Sequence, residues 1–228
     1  MDSSCHQRER HVSIAHDHGG LGPYTVEDLH AREDEGRGLE LEDGWLVELS
    51  PNPLHNIAYR RLHELIEAAA AQAGADIYVD RGGDWEISTA AGVRKPDVIA
   101  VPGDIAESWF DGECRTTIPG QDLLLVVEVV SPRSGSEGRD RFRKPQEYAA
   151  MGIPQYWLVD YTPEPVVQIF VLADGETGPS GKKAGAYRLD QAAKAGDTLQ
   201  VEIAADKPFT VRFDPEVLRQ RPKHLTDI

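Results

Sequence analysis

Cysteine is scarce in this chain: Cys5 and Cys114 are the only two in 228 residues, without metal-type spacing. That excludes a disulfide scaffold and a thiolate metal site, and it predicts free thiols in a reducing cytoplasm. Long apolar runs are missing as well. Charge interrupts each one well before membrane-spanning length, and the N-terminus has no signal-like apolar core, so neither a transmembrane helix nor membrane partnership is expected. No internal repeat is visible. Positive charge is in deficit, with 24 Lys and Arg against 39 Asp and Glu and a net charge of −15. Phosphate neutralisation supplies most nonspecific DNA affinity, so this balance argues against tight nonspecific binding. A local basic patch stays open.

What is present suits a globular α/β protein. With 40% apolar and 28% charged residues the chain can bury one substantial core. Residues 1–23 are polar, carry His6, His11, His16 and His18, and read as a disordered leader. Thr25 and Asp28 have capping-box spacing for a short helix. Asp43-Gly44, between the alternating segments LELE and WLVEL, predicts a tight β-hairpin. Pro51 and Pro53 then break the chain. A helix is expected from Leu54 to Ala73, with His55 in its first turn and Gly74 as its stop.

Short strands are expected at Asp76 to Arg81 and Asp84 to Ser88. Residues 102–121 read as a polar loop displaying an exposed Trp109-Phe110 pair, a candidate dimer face. A helix running to Met151, strands at Gln155 to Asp160 and Val166 to Leu172, a Gly/Lys-rich loop, and strands at Thr198 to Ile203 and Phe209 to Phe213 complete the order. The expected core domain spans 24–172, with 173–228 as an extension of short strands packed on it.

The stretch around which the chain is organised is Leu123 to Ser131, LLLVVEVVS. An unbroken β-branched run reads as a strand buried on both faces. Glu128 sits in its middle, where a charge is costly unless it is paired or bound to a metal. Asp97 opens a second apolar strand, PDVIAVP. If the two acids converge, they make a site for a hard cation, and magnesium suits a sparse oxygen set in which the Val129 carbonyl is a plausible third ligand. The bland alternative leaves Asp97 at a strand edge and pairs Glu128 with an arginine.

Several segments together resemble the Uma-type restriction endonucleases of the PD-(D/E)xK nuclease superfamily. They are Glu40 ahead of Asp43-Gly44, His55 after the prolines, RKPDV, VVEVVS, DRFRK and EYAAMGIPQYW. The resemblance covers about Tyr24 to Leu172. It implies a restriction-endonuclease-like core: a central mixed sheet flanked by helices, preceded by an N-terminal helix and hairpin. It also implies a divalent metal, Mg2+ with Mn2+ able to substitute, held by Asp97 and Glu128. The superfamily lysine sits two residues after the acid, where this chain has Val130. Uma-type proteins resemble one another in taking that lysine from the following helix, and Lys144 matches the position. Glu40 matches a further acid supporting the site.

Lys144 also has a local reading as an i,i+4 partner of Asp140. Pro145 places the helix start between Phe142 and Pro145, or kinks the helix there. Arg139, Arg141, Arg143 and Lys144 form the densest basic run, either a solvated face or a contact for a nucleic-acid backbone.

The leading expectation is therefore a Mg2+-dependent endonuclease acting on DNA, as a homodimer, by metal-activated water. The alternative is a catalytically silent nuclease-fold module that binds nucleic acid or a protein partner. Val130 and the net charge of −15 favour that alternative. A third reading uses the same acids on another phosphoester.

Overall fold

The computed structural model describes residues 22–32, 38–49, 52–83, 85–110, 117–173 and 185–220. The leader histidines, both cysteines and most of the Gly/Lys-rich loop lie outside them. Thr25 caps α1 (Val26–Ala31) through a reciprocal pair of bonds with Asp28. The hairpin of β1 (Leu39–Glu42) and β2 (Trp45–Glu48) turns through Asp43 and Gly44, at φ 47° and 80°. Both values are positive, as this tight turn requires. Asn52 starts α2 (Pro53–Ala73): its Oδ1 accepts from the amides of Leu54 and His55, and Pro53 fills the first turn, where its missing amide hydrogen costs nothing. Gly74, left-handed at φ 66°, ends the helix.

Strands β3 (Ile77–Arg81), β4 (Glu86–Thr89), β5 (Gly92–Arg94) and β6 (Val98–Pro102) follow. The next segment departs from expectation. Gly103–Phe110 is a helix, α3, not a polar loop. Trp109 is buried against Trp85, with ring centroids 4.3 Å apart, and against Tyr78, so only Phe110 of the supposed exposed pair faces solvent. Distant aromatics, invisible to a local reading, supply the burial. The chain continues through β7 (Thr117–Ile118), β8 (Leu125–Val130), α4 (Lys144–Ala150), β9 (Gln155–Asp160) and β10 (Val166–Ala173). Beyond it, β11 (Ala186–Lys194) occupies part of the segment read as loop, and β12 (Leu199–Ile203) and β13 (Phe209–Phe213) close the fold.

The central sheet is mixed and six-stranded, in the order β11-β10-β9-β8-β6-β3. Strands β8 and β9 are parallel, and the other pairs are antiparallel. Every residue of β8 is buried. Its alternation divides the core. Leu125, Val127 and Val129 join Leu62 and Ile66 of α2 together with the inward face of the β12–β13 hairpin, so α2 lies between sheet and hairpin. Val126 and Val130 join Tyr148 of α4 and Trp109 of α3 on the opposite face.

A second sheet, β2-β1-β5-β4-β7, brings the hairpin alongside β5. Together the two sheets place β1, the β5–β6 junction, the end of β8 and the start of α4 around one cleft. No described helix is long and apolar enough to cross a membrane.

Candidate active site

The cleft has a volume of about 170 Å³ and is lined by His55, Asp97, Glu128, Val129, Asp140 and Lys144, with Gly82, Gly83 and Lys95 among its other lining residues. All the candidates except Glu40 therefore line one space, and Glu40 reaches it through Lys144. Asp97 stands just before β6. Strand β6 pairs with β8 only as far as Val98 opposite Val127, so the Val129 amide lies beyond the ladder and donates to Asp97 Oδ2 at 2.7 Å. A strand residue directs its N–H and C=O to the same edge, which turns the Val129 carbonyl toward Asp97 as well. His55 Nε2 lies 3.3 Å from Asp97 Oδ2. Burial works against a charged His55 ring, but its bond to Asp97 and the Val129 backbone outweigh that and raise its pKa.

Glu128 points from β8 toward α4. Its Oε1 accepts from the Tyr148 hydroxyl at 2.7 Å, and its Oε2 is 3.0 Å from Lys144 Nζ. The buried acid therefore pairs with a lysine, not with an arginine. Lys144 Nζ also meets Asp140 Oδ1 at 3.0 Å and Glu40 Oε1 at 3.1 Å, and the residue is only 2% exposed. Burial opposes the charge on Lys144, yet three carboxylates overcome it and hold the ammonium well above its ordinary range. Burial raises Glu128 well above the usual carboxylate range, against the pull of Lys144, and raises Asp140 for the same reason. Helix α4 begins at Lys144 with Pro145 in its first turn, as expected. Ahead of it, Arg139–Arg143 forms a π-type turn, a wider coil that recurs at functional sites.

The basic run is not a free phosphate-binding stripe. Arg143 pairs with Glu42, Asp43 and Glu147. Arg141 pairs with Asp160 and Glu137, and Arg139 Nε stands 3.6 Å from Glu42 Oε2. The acids that give the chain its negative charge neutralise these cations locally. Sequence reasoning missed Tyr148, Arg94 and Glu147. Tyr148 had one local signal, since it follows Lys144 by one helical turn. Arg94 and Glu147 open the quoted segments RKPDV and EYAAMGIPQYW, but nothing local paired them, because they are far apart in the chain.

Among the described residues, no three His, Cys, Asp or Glu side chains converge as a metal cluster. The donors that do face the cleft are hard oxygens: Asp97, Glu128 and the Val129 backbone. The charge balance around them leaves room for a cation. Asp97, Glu128 and Asp140 line the cleft against Lys144 and Lys95, and Glu86 engages the Lys95 ammonium at 3.2 Å. This donor set suits magnesium, which keeps several of its waters.

A mixed sheet flanked by helices, with an acid and a lysine meeting at the end of a central strand, defines a nuclease-like α/β core. The crystal structure of a putative nuclease belonging to DUF820 from Anabaena variabilis shares this fold, with a TM-score of 0.53 over 79% of this chain and 88% of that one, at 12% identity. The family Uma2, described as putative restriction endonuclease, matches residues 26–205, and the chain belongs to it. The matched region extends past Leu172 through β12. No curated protein matches the chain.

Proposed function

We propose that this chain is a divalent-metal-dependent endonuclease that hydrolyses phosphodiester bonds in DNA. Asp97, Glu128 and the Val129 carbonyl would hold the metal. The observation that carries the reading is the 3.0 Å contact of Lys144 with Glu128, which puts a lysine beside the acid although position 130 is valine. A bound Mg2+ would supply Lewis-acid stabilisation of the phosphate and lower the pKa of a coordinated water. The protein's own groups do the rest. His55 and the Val129 amide fix the rotamer of Asp97, and Tyr148 fixes that of Glu128. Lys144 offers a positive charge preorganised by Glu40 and Asp140, which offsets negative charge developing on a phosphate at the cleft.

Membership in a restriction-endonuclease family supports this reading, and so does the hard oxygen donor set. We propose a homodimer only on the general ground that cutting both strands pairs two active sites. A monomeric mass in solution at micromolar concentration would remove that part alone.

The second reading, a silent module, draws on the confinement of Lys144, which is 2% exposed and held by three acids. Supercoiled plasmid at low salt separates the two. The nuclease reading expects nicking by the wild type with Mg2+ or Mn2+, none with EDTA, and none by Asp97→Asn or Glu128→Gln. Equal nicking by wild type and Asp97→Asn would mean that the activity does not come from this site. Salt-sensitive DNA binding without turnover in any metal would favour the silent module.

A further inference from the structure

A further buried charge of this region lies outside the cleft lining. Arg94, at the end of β5, is fully buried. Its Nε and Nη2 donate to Glu147 Oε2 and Oε1 at 2.7 Å each, a two-pronged grip on α4. Its Nη1 donates to Glu42 Oε2 at 3.1 Å and lies 3.7 Å from Glu40 Oε2. One guanidinium thus ties β5, β1 and α4 together. Glu147 stands one turn along α4 from Lys144. Thr89 and Arg143 add their own bonds to the same carboxylate, at 3.1 and 2.9 Å.

The next residues continue the same work. The Lys95 amide donates to Glu40 Oε1 at 2.9 Å, and that oxygen also meets Lys144 Nζ at 3.1 Å. Asp97 then takes the Val129 amide. Within four residues, RKPD, the chain anchors α4, orients the acid that holds the lysine, and places an acid against β8.

We propose that Arg94 is a positioning residue for Lys144, and that its fork on Glu147 sets the rotation and height of α4 so that a lysine absent from position 130 still meets Glu128. The need for such an anchor is physical. Helix α4 has only seven residues and follows a π-type turn, so it has little rigidity of its own. A planar fork fixes orientation as well as charge, which an ammonium cannot do. The consequence for rate rests on the nuclease reading, but the structural claim does not.

Arg94→Lys keeps the buried charge and removes the fork, and Glu147→Gln removes the charge while keeping the shape. Both are made in the full chain, with folding at the assay temperature checked by circular dichroism. The first readout is the 15N-lysine ammonium resonance of Lys144, assigned by its absence in Lys144→Gln. We expect it to be shifted or lost in both variants. The second readout is plasmid cleavage. For Arg94→Lys we expect kcat to fall by about 100-fold, the scale of an ångström-level misplacement, with KM changed by less than about twofold. Where Arg94→Lys does not fold, Glu147→Gln carries both readouts. An unshifted Lys144 resonance in a folded variant would overturn the proposal, whatever happened to the melting temperature. A wild type without nuclease activity, but with the resonance moving as stated, would sink the nuclease reading and leave the positioning role standing.

Discussion

Leu125, Val127 and Val129 point from β8 into an apolar layer shared with α2, whereas Val126, Glu128 and Val130 point to α4, where a carboxylate and an ammonium are buried with the valines. The backbone and the degree of burial are the same on the two sides. The α2 face is held by area and close packing, which are insensitive to pH and tolerate replacement by similar shapes. The α4 face combines apolar packing with charges that are affordable only in combination, so removing any one charge leaves the others stranded. Stability can come from either face, but of the β8 side chains only Glu128, on the second, can act on a phosphate; the α2 side contributes His55, which lies against Asp97 at the end of the sheet.

The sharpest way to break the contrast is Lys144→Met. It leaves Glu128, Glu40 and Asp140 buried around an apolar end, and we expect a loss of about 3–5 kcal/mol in urea unfolding, with cleavage abolished. Leu62→Ala on the other face should cost about 2–5 kcal/mol through a cavity. At temperatures where it stays folded, kcat should remain that of the wild type, because only packing has changed.

Acid titration separates the faces next. Burial alone would raise Glu147, but its bonds to Arg94 and Arg143 prevail and hold it below its ordinary value of 4.5. A carboxylate depressed by folding contributes stability above that value and loses it as pH falls through the folded pKa. Buried Glu128 has the opposite slope: its raised pKa costs stability at neutral pH, and protonation relieves the cost. Unfolding followed from pH 6 to pH 3, on the order of the carboxylate range, should therefore show a shallower acid decline for Glu147→Gln than for the wild type. The smallest effect belongs to the outer pair. Arg141→Ala removes a partly exposed bridge to Asp160 and should cost about 0.2–1 kcal/mol, less at high salt.

The parts of the fold that were legible in the sequence are those whose cause is local. Thr25 with Asp28, Asp43 with Gly44, and Gly74 each carry their geometry within a few residues. The unbroken apolar run of β8 announced its own burial, and Glu128 stood out because it interrupted that run. Asp97 stood out as the acid opening the apolar run PDVIAVP, whereas Lys144 came from the order of motifs that resembles the family, and the structure brings both to the same cleft as Glu128.

What escaped was non-local. Helix α3 looked like loop because the rings that bury Trp109 lie at Tyr78 and Trp85. Strand β11 looked like loop because it is a sheet edge with mostly exposed side chains, which leaves no apolar alternation to read. Arg94 gave no sign of its partner, since the grip on Glu147 exists only once β5 and α4 meet. The basic run stayed open between two readings for a related reason: charge in sequence does not show which cations are already neutralised by acids from another element.

The most direct test of the account is a double-mutant cycle on plasmid cleavage with Mg2+, using Glu128→Gln, Lys144→Gln and the double variant beside the wild type. If the two side chains act as one unit, each single change should remove nearly all the rate and the double should be no worse than either. A Lys144→Gln protein that cleaves at the wild-type rate, or losses that simply multiply, would contradict the claim that the lysine from α4 completes the site.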